Sequence, residues 1–428
     1  MTKAEFQQHG MYLQHRFMPL CILLVAISSI ATYMEAKTGL PVANTTLWWT
    51  LQAFVLYIIY ISKKFFFDAR QAPAMLFVLL YLWWNIFSFA RGIFIAENYW
   101  DWKVLVFNGM GLLVPIIAYS ATNTALMQSI LKYYIKYTLP LFLGFAFLVN
   151  PFAYGFYLVP ISFLMLFFPL LKLRWKLAFL AITIFVITGD LGARSNVIKF
   201  SVPVLLSLIY YFRLYLSTML FERVRKLLFI APFILFTLAA TDTFNIFNMN
   251  DYVSSDYSTV GRNDEGDAID DDLKADTRTF LYVEVLQTAE KYNSWLIGRS
   301  PARGNESAWF GMDDMTGRGE RAANEVGILN VFTWTGIVGV LLYCLAFYRA
   351  SYLAINQSNN TFSQIMGLFV AFRWVYAWVE DINFFTLTTV FLWLLIGLCY
   401  SKHFRSMTNK DVEFWVQGIF YNKKVAAK

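Results

Sequence analysis

Residues 326–347 read VGILNVFTWTGIVGVLLYCLAF, 22 residues without one charge. About 20 apolar residues suffice for a helix to cross the roughly 30 Å hydrocarbon core of a bilayer. The stretch therefore predicts a transmembrane helix, and similar runs extend from it in both directions. Toward the C-terminus they are 364–379 and 384–400. Toward the N-terminus they are 17–33, 47–62, 73–90, 102–120, 138–149, 154–171, 175–189, 196–212 and 227–240. The expectation is an all-α polytopic membrane protein with about twelve spans.

Composition agrees. The 428 residues are 58% hydrophobic and 15% charged, with a mean hydropathy of +0.50. Soluble domains carry roughly 25% charged residues, so a cytosolic enzyme, a disordered chain and a coiled coil are all excluded. The 42 Phe and 25 Tyr suit helices that pack in lipid and anchor at its interfaces. Cys21, Cys344 and Cys399 all fall in apolar runs, which leaves no disulfide framework in a polar loop. The first sixteen residues are polar and no small-residue cleavage site follows, so no cleavable signal peptide is expected.

Lys and Arg set the orientation. With both termini cytoplasmic, the inner segments hold 21 Lys/Arg, including Lys63, Lys64, Arg70, Lys172, Arg174 and Lys176. The short outer loops hold five: Lys37, Arg91, Lys103, Arg194 and Lys199. That asymmetry follows the positive-inside rule. The net charge of +7 then needs no nucleic-acid partner, because basic span ends face anionic membrane lipid. The chain divides into spans one to nine (1–240), a large external loop (241–325), spans ten to twelve (326–400) and a basic cytoplasmic tail (401–428).

The loop holds 17 of the 28 acidic residues. Its run Asp264-Glu265-Gly266-Asp267-Ala268-Ile269-Asp270-Asp271-Asp272 lacks calcium-loop spacing and reads as a solvated acidic face or a mobile loop; no metal is expected. Apolar residues at mixed three- and four-residue steps over 276–295 predict an amphipathic helix capped by Asp276 or Thr277, with Arg278 in its first turn. An arginine there opposes the helix dipole, so another reason for it is expected.

Arginines recur where spans meet the outer surface: Arg194, Arg299, Arg303 and Arg321, with Arg373 inside the eleventh span. Their planar forks match phosphate geometry and stay charged. Each also has a plain reading, as a snorkelling anchor or an ion-pair partner; Arg373 has Glu380 and Asp381 two turns along.

Three stretches together resemble the O-antigen polymerase and O-antigen ligase superfamily of bacterial envelope glycosyltransferases. They are Thr188-Gly189-Asp190-Leu191-Gly192-Ala193-Arg194-Ser195-Asn196; Asp276-Thr277-Arg278-Thr279 leading to Leu296-Ile297-Gly298-Arg299; and Asn324-Glu325-Val326-Gly327 leading to Trp334-Thr335-Gly336-Ile337-Val338-Gly339. The resemblance implies a GT-C-like architecture in the bacterial inner membrane, with the large loop periplasmic. It implies transfer of a glycan from an undecaprenyl-diphosphate-linked oligosaccharide without cofactor or metal, and makes a chain-length regulator an ordinary partner. Ligases of the superfamily typically carry a histidine before the loop-exit asparagine; Ala323 stands here, which favours the polymerase branch.

On this reading Arg194, Arg278 and Arg299 bind the diphosphate, with Arg303, Arg321 and Arg373 also substrate-binding. Glu325 is the candidate base, and Asn324 orients a sugar hydroxyl. Tyr252, Trp295, Trp309 and Trp334 are candidate stacking platforms for sugars. A flippase or transporter of lipid-linked glycans is the rival from another class. A polyprenyl-phosphate sugar transferase using Glu35, Glu97 or Asp101 is a second rival.

Overall fold

The computed structural model describes residues 3–42, 44–189, 194–241, 243–248, 258–262, 268–272, 278–308 and 317–421. Among the described residues the chain is 79% helical with almost no sheet, an all-α membrane protein. Helices α1 Lys3–Thr38, α2 Thr45–Phe66, α3 Leu76–Ile95 and α4 Tyr99–Leu113 open it. Shorter helices α5 Ile117–Ala121, α6 Thr124–Tyr133 and α7 Leu139–Phe145 follow. Next come α8 Tyr154–Met165, α9 Leu173–Gly189, α10 Arg194–Leu208 and α11 Thr218–Ala240. Beyond the loop helix α12 Thr279–Lys291 lie α13 Gly327–Asn356, α14 Thr361–Tyr376 and α15 Leu387–Tyr400. Helices α16 Lys402–Ser406 and α17 Asn409–Phe420 close the chain. Among the described residues, six segments are long and apolar enough to cross a membrane: Gly10–Thr38, Thr45–Phe66, Ala69–Ile95, Tyr99–Ala121, Arg194–Phe212 and Gly327–Asn356.

Side-chain caps mark several starts, as their residue types favour. Asn44 accepts from the Leu47 amide, Asn360 from Ser363 and Thr386 from Thr389, and Thr408 with Asp411 forms a capping box. Helix α13 packs against α3 and α14, α15 against α5 and α8, and α11 against α14. Trp334, Trp374, Trp393, Tyr81 and Tyr343 fill the centre. Trp334 is therefore core, not a sugar platform.

Two irregular stretches reach below the loop-side surface. Helices α14 and α15 have 16 and 14 residues, about 24 and 21 Å long, short of a 30 Å core. The Leu387 amide donates to Ser29 Oγ, and Ser29 stands nine residues, about 14 Å, before the end of α1. Segment 377–386 thus lies at depth, where non-helical backbone is tolerated only when protein surrounds it.

The second irregular stretch is the turn 295–299, which enters a break in α13. Gly336 has φ +69° inside that helix. There Ile337 N donates to Trp295 O (2.8 Å), Arg299 N to Thr333 O (2.7 Å) and Trp84 Nε1 to Thr335 O (2.8 Å). Arg91 Nη2 reaches the Ile297 and Gly298 carbonyls at 2.7 and 2.8 Å. A Cβ on Gly298 would stand 2.6 Å from the Gly336 nitrogen. The glycine turn and the glycine-bearing span of the second and third motifs are in backbone contact.

The loop departs from expectation in two places. Asp276 and Thr277 lie outside the described residues, and α12 starts one residue after Arg278, which occupies the cap position without a capping hydrogen bond. Of the acidic run, Ala268–Asp272 is a strand, β2, paired antiparallel with β1 Ser258–Arg262 rather than a mobile loop, while 263–267 lie outside the described residues.

Candidate functional site

The site forms where α10, α12, α13 and segment 377–386 meet. Arg278, at the cap position of α12, turns to Glu325 Oε2 in a short ion pair and donates from Nε to the Val379 carbonyl at 3.3 Å. The other oxygen of Glu325 takes Arg321 Nη2 at 3.2 Å. Arg278 also lies 4.0 Å from Glu380, whose second oxygen is 3.8 Å from Lys199 Nζ. One chain of charges therefore runs Arg321, Glu325, Arg278, Glu380, Lys199.

Arg373 joins this cluster from α14. Its charge acts on Lys199, and Glu380 acts on it. The residue is only 4% exposed. Among the described residues its guanidinium makes no hydrogen bond and no ion pair, and its contact is with the Tyr376 ring, 4.7 Å from the centroid. The expected pairing with Glu380 or Asp381 does not occur. Helix α14 ends at Tyr376, so both acids leave the helical face that would have met Arg373. Glu380 turns to Lys199 and Arg278. Asp381 accepts from Asn330 Nδ2 at 2.9 Å and from the Asn383 amide at 3.1 Å.

The cluster thus holds four cations, Lys199, Arg278, Arg321 and Arg373, against three carboxylates, Glu325, Glu380 and Asp381, the last acting on Lys199 through space. Lys199, with its side chain 2% exposed, lies five residues inside a candidate span. Charge at such depth costs about 2.5 to 3.5 kcal/mol on insertion scales. A surplus of buried positive charge fits an anion.

Other expected residues lie elsewhere. Arg299 is not in the cluster. Its Nη2 pairs with Glu320 at 2.8 Å, its Nη1 donates to Gly304 O at 2.7 Å, and its guanidinium lies 3.9 Å from the Tyr292 centroid. The short strands β3 Asn305–Glu306 and β4 Glu320–Arg321 pair antiparallel beside it, so the arginine that follows the glycine turn is spent closing the loop. Both side chains of the pair are under 10% exposed. Arg299→Ala is expected to cost about 3–5 kcal/mol by stranding Glu320, read as faster proteolysis within 295–325. Arg299→Met with Glu320→Met should restore most of that resistance.

Arg303 reaches Glu97 at 3.1 Å and Asp101 at 3.8 Å, and Arg318 reaches the same two carboxylates at 2.8 and 2.6 Å. The two acids are thereby held in an ion-pair clasp between the start of α4 and the loop. Arg194 begins α10 on an exposed surface, just ahead of Ser195, whose carbonyl accepts from Tyr376 Oη at 3.2 Å. It lies five residues before Lys199 on the same helix. Asn324 is buried; its Nδ2 donates to Asn305 Oδ1 at 3.0 Å and its backbone N–H to Asn330 Oδ1 at 2.6 Å, which ties the loop exit to α13. Trp295 donates to Glu290 at the loop surface, while Tyr252 and Trp309 lie outside the described residues.

Sequence reasoning missed Lys199, counted among outer-loop cations, and took Glu380 only as a partner for Arg373. The signal for Lys199 was present: a lysine one turn past a serine within an apolar helix.

A cavity of about 730 Å³ opens between α1, α2 and α4, lined by Thr32, Trp48, Trp49, Trp100 and Phe384 and by the charged Asp101, Lys103, Glu320 and Arg321. A second, of about 360 Å³, lies between α11, α12 and α14. No family model, curated protein or solved structure matches the chain.

Proposed function

We propose that the chain is a polymerase of lipid-linked glycans, joining undecaprenyl-diphosphate-linked repeat units on the outer face of the bacterial inner membrane. The observation that supports this most is the buried cationic surplus, in which Arg373 has no acid partner among the described residues. A diphosphate supplies the missing negative charge, and arginine forks suit its oxygens. The motif resemblance supplies the chemistry, and with it the twelve-span GT-C-like topology, cytoplasmic termini and a periplasmic loop. A chain-length regulator belongs to the same proposal.

In the proposed reaction the hydroxyl of an incoming repeat unit attacks the anomeric carbon of the growing chain. The new C–O bond forms as the bond to the diphosphate breaks, and the diphosphate leaves with the electron pair. Lys199, Arg278 and Arg373 stabilise the charge it gathers. Glu325 accepts the hydroxyl proton. Arg278 holds that carboxylate until the diphosphate competes for its guanidinium, so substrate binding itself loosens the base. Glu325→Gln should therefore lower transfer about 10²- to 10⁴-fold while leaving binding of the lipid diphosphate intact; unchanged transfer would remove Glu325 from the mechanism.

A transporter of lipid-linked glycans remains the second reading, favoured by the break in α13, since broken helices around a midplane site are a transporter device. Purified protein in vesicles with lipid-linked repeat units decides between them. A ladder of polymer without added energy supports the polymerase; translocated single units without polymer overturn it. Transfer onto lipid A core instead would identify a ligase.

A further inference from the structure

The charged cluster is approached by apolar space from two sides. In the smaller cavity Phe236, Phe247, Tyr282 and Trp378 make walls, and Thr279 and Val379 form the end nearest the charges. Arg278 adjoins that end directly: it precedes Thr279, and its Nε donates to the Val379 carbonyl. The larger cavity is lined instead by Arg321, beside Lys103, Asp101 and Glu320. Glu325 joins the two arginines, one carboxylate oxygen to each. One guanidinium therefore borders the smaller cavity and another lines the larger, with one carboxylate between them.

We infer that the two cavities are separate lipid-chain sites, so that the protein holds two lipid phosphates at once. One has its headgroup at Arg278 and the other at Arg321. Charge complementarity names the occupant. An apolar space at the level of the spans, closed by a fixed cation, matches an isoprenoid chain that ends in phosphate or diphosphate. The inference rests on the lipid-linked substrate proposed above and adds the count and placement of the lipids. A reaction between two lipid-linked molecules requires two lipid-chain sites, whereas a conduit for one needs a single such site.

The test counts bound lipid without turnover. The full chain in nanodiscs is titrated with geranylgeranyl diphosphate and examined by native mass spectrometry. Two ligands per chain are expected. Ala239→Trp, which fills the smaller cavity, should leave one, as should Thr32→Trp, which fills the larger. The double variant should bind none. Retention of one ligand by each single variant shows that it is folded. Arg278→Ala should remove the same copy as Ala239→Trp, so combining them removes nothing further. A single ligand on the unmodified protein, or two on either tryptophan variant, overturns the inference. One bound lipid with glycan transfer intact would sink the two-site arrangement and spare the polymerase; two bound lipids with no transfer would do the reverse.

Discussion

Replacing Arg373 by methionine is expected to raise the stability of the protein while lowering glycan transfer about a hundredfold or more. The two signs come from one fact. A buried guanidinium with no carboxylate partner among the described residues has lost its hydration and gained only a ring contact in return. Methionine has a similar length, no charge and enough flexibility to fill the space. Removing the cation relieves the desolvation cost and eases its repulsion with Lys199. Loss of one preorganised donor aimed at developing charge typically costs about 10²–10³ in rate, or roughly 2.7–4 kcal/mol of transition-state stabilisation. Thermal unfolding in detergent and a reconstituted transfer assay, on the same preparation, read both. An arginine that served only to hold the fold would give lower stability and near-normal transfer per folded molecule, and that result would remove the anion site from the proposal. Such opposition of stability and activity is expected where a site is built for its ligand rather than for the fold.

The second large effect concerns the junction of the loop with α13. Gly336→Val is expected to cost about 3–5 kcal/mol and to leave little folded protein. At φ +69° a branched side chain is strained, and a Cβ there would run into the Leu296 backbone. Backbone on both sides is fixed by the hydrogen bonds from Ile337, Arg299 and Trp84, so neither partner can retreat without breaking them. Gly298→Ala should act in the same direction, since its φ is +67° and its Cβ would press on Thr335 and Gly336. Gly144→Ala is the control: nothing lies within 4 Å of a Cβ there, and the helix gains up to about 1 kcal/mol in propensity. Yield, size-exclusion profile and unfolding midpoint report all three. Normal folding of Gly336→Val would show that the loop turn and the span are not locked together.

The interlock also explains which of the arginines reach the site. Arg278 and Arg299 bracket the same loop helix, and the motif resemblance makes both phosphate ligands. Only Arg278 faces the cluster. The turn that buries Gly298 against Gly336 points the following residue toward Glu320 and the Gly304 carbonyl. Sequence carried the residue type and its neighbourhood; it did not carry the direction of the side chain, because that direction depends on a contact between residues nearly forty positions apart.

What the sequence determined alone was the solvent of this protein and the identity of its chemistry-bearing groups. Uncharged runs such as 326–347 have to be helical and membrane-embedded, because lipid offers backbone amides no other partners. Arginine stays charged wherever it is placed, so its appearance beside or within spans already asked for an explanation. Tertiary structure decided the pairings. Helix α14 stops at Tyr376, which separates Arg373 from Glu380 and Asp381. The dip of segment 377–386 brings Glu380 to Lys199 and Arg278. Glu325 joins two arginines, Arg278 and Arg321, that stand more than forty positions apart in the chain. These outcomes turn on where helices end and which faces they pack, settled by burial summed over the whole molecule rather than by any local stretch of chain.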